Sequence, residues 1–409
     1  MWLLRAPVEK YGRIPSGQSI ISKDVLFYNN ITYCSKFYWK KVHTDNGCID
    51  ITPHWMRRER RKRILGNILV IAKGGIGDCM WVMPFIREMK VQHPTSPIVV
   101  LTDERTYPAF VNFPYIAACV KDEYWNATQL MAAADEIYDF GGVATIYKKM
   151  MKLDPVEAIF KMAELRHPTE KKLMRPHFVL TAKEGLEAID LVESRGVNLL
   201  KDNLITICTE SSTPNRDWSM LHIQKLTKLL QGAGNKVVWL SEKKELEDLY
   251  FLSCPCSWST ETHFVQVPRD IHFTCPRCKN PITVDLLEKA AGITNLAGKT
   301  NLRQYMAVVA LSDLFIGPNS SGMVIATSLD TPTIGLFGAF SPKRRTKYYE
   351  KFMPLTAGTK CKPCEEHWTE CYQGHPAPCM RAITPELVFD CVKYMLAEYP
   401  RDKKGKIPG

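Results

Sequence analysis

From residue 66 onward, apolar positions follow two alternating patterns. Runs of four or five residues rich in Ile, Val and Leu, bounded by Gly, Pro, Asn or Asp, suit buried strands. Stretches with apolar residues every three or four positions suit amphipathic helices. The first series predicts strands at 68–72, 98–101, 136–140 and 177–180, with helices at 80–92, 127–134 and 155–165. Residues 181–200 read as a helix and connector. A second series predicts strands at 204–209, 236–240, 314–317 and 333–337, with helices at 219–232, 300–311 and 321–329. Thr384-Pro385-Glu386 opens a last helix with a cap residue and Pro at its first position. The pattern therefore predicts an α/β protein: an extension over 1–65, α/β domains over 66–195 and 196–382, and a closing helix and tail over 383–409.

The run Ile68–Ala72 followed by Gly74, Gly75 and Gly77 and then by helical spacing (Met80, Met83, Ile86) is the opening of a nucleotide-binding α/β unit. The glycines let backbone pass close to a ligand or take positive φ. The dinucleotide fingerprint Gly-x-Gly-x-x-Gly is not completed by Gly75-Ile76-Gly77-Asp78-Cys79-Met80. Asp78 is expected on the turn just before the helix. There it reads first as a helix cap, and a carboxylate at a strand end also suits a general base.

Composition narrows the class. A hydrophobic content of 45% and a charged content of 24% in 409 residues describe a globular protein of more than one domain. No apolar run has the length of a membrane span and the N-terminal segment is too short for a secretory signal, so the expected location is cytoplasmic. The net charge of +11, from 54 basic and 43 acidic residues, is compatible with a polyanionic partner and with plain solubility. Its densest patch is Arg57-Arg58-Glu59-Arg60-Arg61-Lys62-Arg63, behind the aromatics Phe27, Tyr28, Tyr33, Phe37, Tyr38 and Trp39. This reads as a packed extension ending in a solvated linker; the sharper alternative is contact with nucleic acid.

Fourteen cysteines without a secretory signal point to reduced thiols and metal rather than disulfides. Cys254, Cys256, Cys275 and Cys278 combine a C-x-C with a C-x₂-C pair, which suits one tetrahedral structural zinc in a ribbon-like insertion over 254–278. Cys361, Cys364, Cys371 and Cys379 admit either a second metal or free thiols. Cys79 and Cys208 read as packing residues.

Four segments in order carry a family resemblance. They are the loop Ile71–Asp78; the stretch Thr209-Glu-Ser-Ser-Thr-Pro-Asn-Arg-Asp-Trp218; Ile316-Gly-Pro-Asn-Ser-Ser-Gly-Met-Val-Ile-Ala326 with Pro332 and Leu336-Phe-Gly338; and Cys379-Met-Arg-Ala-Ile-Thr-Pro-Glu386. Over roughly 67–395 the chain resembles glycosyltransferase family 9, the heptosyltransferase-like enzymes. Where that family commonly shows Asp-Thr-Gly-Pro-Met-His, this chain has Asn319-Ser320-Ser321-Gly322-Met323-Val324. The resemblance implies a GT-B fold, two Rossmann-like domains facing a central cleft, and inverting transfer from a nucleotide sugar. Asp78 would be the general base in an acceptor domain, and the second domain would hold the donor. A leaving nucleoside diphosphate needs its charge neutralised. Arg216 is the cation for this, with Thr209, Ser211, Ser212, Thr213, Asn319, Ser320, Ser321 and Gly322 around the phosphates; Glu242 and Glu245 read either as acceptors for a ribose hydroxyl or as a solvated helix start. The chain has no Asp-x-Asp pair, so no catalytic metal is expected. The acceptor is a saccharide or a hydroxymethylated base in DNA, the latter flipped or single-stranded. The competing reading is a non-catalytic, zinc-containing binding module.

Overall fold

The computed structural model describes residues 66–141, 153–208, 211–242, 293–361 and 377–401, isolated positions within 274–280 and 364–374, and the backbone of seven strands outside these stretches. Four of those strands lie within the first 34 residues: β1 (Trp2–Arg5), β2 (Ile20–Ser22), β3 (Val25–Tyr28) and β4 (Ile31–Cys34). With β5 (Ile49–Asp50) they form an antiparallel sheet of order β2–β3–β4–β1–β5. The basic run 57–63 lies outside the described residues.

The chain divides into two compact units. One comprises Met1–Val179 with Arg344–Tyr348, the other Leu180–Lys343 with Tyr349–Gly409. The first unit holds β6 (Ile68–Ala72), α1 (Ile76–Met80), α2 (Met83–Gln92), β7 (Ile98–Thr102), α3 (Tyr107–Phe110), β8 (Ala118–Lys121), α4 (Tyr124–Ala133), β9 (Glu136–Asp139) and α5 (Pro155–Met162). Its strands are parallel in the order β8–β7–β6–β9. Every residue of β6 is buried, as its uninterrupted apolar run requires of a central parallel strand. Phe85 of α2 packs edge-on against Tyr138, Phe140 and Phe160 and is fully buried. Residues 344–348 close on this unit: Tyr348 Oη donates to Glu157 Oε1 (2.6 Å), Lys347 pairs with the same carboxylate, and the Arg345 guanidinium lies 5.5 Å from the Trp81 ring centre.

The second unit opens with α6 (Ala182–Glu193) and continues through β10 (Leu204–Cys208), α7 (Met220–Gly232), β11 (Lys236–Leu240), β12 (Tyr250–Ser253), β13 (Thr283–Leu286), β14 (Thr294–Asn295), α8 (Leu302–Leu311), β15 (Leu314–Pro318), α9 (Ser321–Ser328), β16 (Thr333–Phe337), β17 (Phe352–Thr356), α10 (Pro378–Arg381) and α11 (Pro385–Glu398). Six of these strands make a parallel sheet of order β14–β11–β10–β15–β16–β17. The helices α7 and α11 bury Leu226, Leu230, Val388, Val392 and Met395 in one core with Trp239, Ile316 and Leu336. Thr384 caps α11, accepting from Leu387 N at 3.3 Å, with Pro385 beginning the helix as expected.

Three expectations need correction. The helix predicted over 80–92 begins at Ile76 and is interrupted at Trp81–Val82, because Pro84 has no N–H to return to Met80 and restarts the helix in its own first turn. Asp78 is therefore inside α1, and Gly75, not Asp78, is its N-cap. The strand predicted over 177–180 is absent: the segment between Pro176 and the α6 cap Thr181 buries Phe178 without joining either sheet. Conversely β8, β14 and β17 went unpredicted. All three are sheet edges: β8 and β17 are only partly buried, and β14 has only two residues.

Candidate functional site

In an open parallel sheet, ligands bind beyond the carboxyl ends of strands where the strand order reverses. Each unit has one such point. In the first unit β6 is flanked by β7 and β9, so the crossovers leave its carboxyl end in opposite directions. The loop Lys73–Gly75 and α1 begin there. Gly74 has φ +127°, a conformation L side chains rarely adopt, and its N–H donates to Asp103 Oδ2 at 3.0 Å. At Gly75 a Cβ would stand 2.9 Å from Asp78 Oδ2, so the carboxylate lies directly over this glycine and a side chain here would displace it. Gly77 follows inside α1. Lys73 pairs with Asp122, the residue after β8.

Behind this loop Cys79 is buried, and burial, with the Asp78 charge added to it, pushes its thiol well up. It stays a neutral packing residue, and Cys208 at the end of β10 is buried as well.

In the second unit the reversal falls at β10, between β11 and β15. The loops after β10 and β15 therefore emerge side by side, and one side chain ties them together. Arg216, 5% exposed, donates from Nε to Thr213 Oγ1 (2.7 Å), from Nη2 to Ser212 Oγ (2.5 Å) and from Nη1 to the Asn319 carbonyl (2.6 Å). Its guanidinium lies 5.9 Å from the centre of the Phe340 ring, near the end of β16. Ser211 is drawn inward too: its N–H donates to Asp217 Oδ1 (2.6 Å), and its hydroxyl sits 2.8 Å from the same oxygen and 2.7 Å from the Thr213 carbonyl. Thr213 Oγ1 donates to Asn215 Oδ1 (2.9 Å). The hydroxyls expected to face phosphate are thus built into the loop around the arginine. Trp218, the aromatic end of this segment, is buried and donates from Nε1 to the Ile383 carbonyl (2.9 Å).

After β15 the picture is different. The Asn319 side chain is 4% exposed, and its Nδ2 has no hydrogen-bond partner among the described residues. Ser320 is the N-cap of α9 without a side-chain cap bond, and Ser321 and Gly322 form the first turn, where helix N–H groups lack intrahelical acceptors. A buried amide donor and a helix start together favour an anion. Neither Asn215, which accepts from Thr213, nor Asp217 was singled out from sequence. Their proximity to Arg216 was the available signal.

Glu242 is exposed just past β11. Thr209, Glu245, Cys254, Cys256 and Cys275 lie outside the described residues, so the zinc expectation over 254–278 does too. Among the described residues, no three His, Cys, Asp or Glu side chains form a group able to hold a metal. Cys361, Cys364, Cys371 and Cys379 form no disulfide, and among the described residues they are not gathered into one metal-holding group. No helix among the described residues is long and apolar enough to cross a membrane.

Comparison with known proteins bears on the same elements. Residues 270–373, which include β15, α9 and β16, match the model of the family described as glycosyltransferase family 9 (heptosyltransferase). A lipopolysaccharide core heptosyltransferase, OpsX of Haemophilus influenzae, is 37% identical over 78 residues, 17% of this chain, and the chain covers 22% of that relative's length. Among solved structures, ADP-heptose LPS heptosyltransferase II of E. coli superimposes with a TM-score of 0.57 at 18% identity, covering 81% of this chain and 99% of that one. A family 9 glycosyltransferase from Veillonella parvula gives the same TM-score at 14% identity, covering 81% and 97%. The chain therefore has the α/β, GT-B fold of the heptosyltransferase structures and resembles glycosyltransferase family 9, most directly in the segment carrying Asn319–Gly322.

Proposed function

We propose that this protein is an inverting glycosyltransferase of the heptosyltransferase type. Its second unit binds a nucleoside-diphosphate sugar, and Asp78 of the first unit is the general base. The reading is carried by the buried Nδ2 of Asn319, without a partner among the described residues, beside the first turn of α9. Leaving such a donor unpaired costs about 1–3 kcal/mol, and a phosphate oxygen relieves that cost. Arg216 supplies the nearby positive charge for the leaving diphosphate and braces the loop that carries Asn319.

In the reaction the Asp78 carboxylate takes the proton of an acceptor hydroxyl. That oxygen bonds to the anomeric carbon from the face opposite the leaving group, the bond from that carbon to the phosphate oxygen breaks, and the nucleoside diphosphate departs. An ADP-activated heptose and a saccharide acceptor of the lipopolysaccharide-core type are the first pair to test, by analogy with the relatives named above. A structural zinc held by Cys254, Cys256, Cys275 and Cys278 completes the proposal and takes no part in the chemistry.

The test is turnover of ADP-heptose with heptose-free lipopolysaccharide by wild-type protein and by Asp78→Asn. The amide keeps the shape but cannot take a proton, so the rate falls by about 10²–10⁴-fold while ADP affinity is unchanged. Normal turnover by the variant removes Asp78 as the base. Wild-type protein that binds ADP but transfers no sugar is the binding module instead. Salt-sensitive binding of single-stranded DNA, with glycosylation of that DNA and not of the saccharide, moves the acceptor to nucleic acid.

A further inference from the structure

We propose that Asp103 is a positioning residue for Asp78, acting through the backbone of Gly74. This rests on the reading of Asp78 as the general base. The strands β6 and β7 are neighbours in parallel register with Ala72 beside Thr102, so Lys73–Gly74 and Asp103 leave the sheet side by side. The Asp103 carboxylate accepts the Gly74 N–H at 3.0 Å. Gly74 is the residue whose backbone takes φ +127°, so the peptide at that point has no regular secondary structure to set its direction. One residue later Gly75 caps α1, and the Asp78 carboxylate folds back over it, with Oδ2 2.9 Å from where a Gly75 Cβ would stand. The orientation of Gly74 therefore sets the entry of α1 and the place of the base.

Asp103 is itself held. Its carbonyl accepts from Thr106 N (3.0 Å), Tyr107 N (2.9 Å) and Thr106 Oγ1 (3.1 Å). Thr102, buried, donates from Oγ1 to the Ala72 carbonyl at 2.6 Å and lies 2.5 Å from Thr106 Oγ1. These bonds lock the ends of β6 and β7 to each other on the sheet side of the glycine turn, and the Gly74–Asp103 bond is the tie on its far side. The charges of both Asp78 and Asp103 act on the Cys79 thiol, which agrees with the two carboxylates lying near the same turn. Asp103 touches no reacting atom in this assignment. What the turn uses is its acceptor oxygen, and the negative charge is dispensable.

That distinction supplies the test. Asp103→Asn keeps an acceptor for the Gly74 N–H, whereas Asp103→Ala removes it; Asp103→Ser, too short to reach Gly74, replaces the alanine variant if that fails to fold. With ADP-heptose and heptose-free lipopolysaccharide, Asp103→Ala lowers kcat by about 10–100-fold, in line with the cost of a misplaced catalytic group, and leaves ADP affinity and the donor KM unchanged. Asp103→Asn stays within about threefold of wild type. The double variant Asp78→Asn/Asp103→Ala is no slower than Asp78→Asn alone, because a residue acting through the base has nothing left to position. Independently of activity, amide hydrogen exchange over 73–78 accelerates in Asp103→Ala and not in Asp103→Asn. Equal losses for Asn and Ala, multiplicative losses in the double variant, or unchanged exchange over 73–78 each overturn the assignment. If Asp78→Asn turns over normally, the base reading falls and this inference with it; if Asp78→Asn is slow and Asp103→Ala is not, only this inference falls.

Discussion

Arg216 shows how one residue can be a structural brace and a ligand residue at once. Buried cations are expensive unless their N–H groups are matched, and here hydroxyls and a carbonyl from three residues match them. The loop conformation that presents Asn319 therefore depends on the guanidinium fork. Arg216→Ala is expected to weaken ADP binding by about 1.5–3 kcal/mol, the range for a charged hydrogen bond, and to lower the melting temperature as well. Arg216→Lys retains the charge but cannot span Thr213, Ser212 and Asn319 together, so it falls between the two in affinity. Calorimetric titration with ADP is the measurement. Equal affinity in wild type and Arg216→Ala removes Arg216 from the donor site.

At the scale of elements, the two units contain helices started by the same device with opposite consequences for pH. Both α5 and α6 have capping boxes, Asp154 with Glu157 and Thr181 with Glu184. Burial pushes the Asp154 carboxyl up to about 7. The native state thus keeps a proton that the unfolded chain has already released, and Asp154 costs stability increasingly as pH rises from about 4 to 7. Glu184 is the reverse case. The Arg303 guanidinium of α8 binds both its oxygens at 2.7 Å and holds it down to about 2. Its contribution is present above the ordinary carboxylate range and is lost as pH falls from about 4.5 toward 2.

Two conservative variants separate these effects. Asp154→Asn still caps α5, so it matches wild type near pH 4 and exceeds it in melting temperature above pH 7. Glu184→Gln keeps the capping box but not the charge, so it is less stable at pH 7 by about 1–2 kcal/mol, between an exposed ion pair and a buried charged bond. That deficit shrinks on acidification. A melting series across pH with both variants measures the two slopes, and parallel curves for wild type and variants refute them.

At the scale of the whole molecule, the chain adds two pieces to a pair of α/β units. One is the N-terminal antiparallel sheet. The other is the stretch between β12 and β13, whose ends are clamped by direct pairing of Ser253 with Thr283. A clamped stretch bearing Cys254, Cys256, Cys275 and Cys278 has few apolar residues with which to order itself, and a metal is the usual substitute for a core at this size. Elemental analysis of protein purified without chelator is expected to find one equivalent of zinc, absent from a Cys275→Ser, Cys278→Ser double variant that still binds ADP. Metal-free wild-type protein refutes the zinc.

The central strands were legible in the sequence because a strand buried on both faces must be apolar throughout: β6, β10, β15 and β16 are runs that admit little else. The glycine turn and the start of α11 were legible for similar local reasons, a φ that only glycine takes readily and a cap followed by proline. The edge strand β17, half exposed, has no such signature, and whether an extended segment such as 177–180 finds a partner depends on what lies beside it. The same division runs through the candidate site. Residue types at the ends of strands marked Asp78, Arg216 and Asn319, but only the folded sheets decided their company. Strand order brought the loop after β10 against the one after β15, so that Arg216 reaches Asn319, and set β7 beside β6, so that Asp103 reaches Gly74. Those pairs lie far apart along the chain. Hydrogen bonds between them follow from parallel crossover topology, which local sequence pattern does not encode.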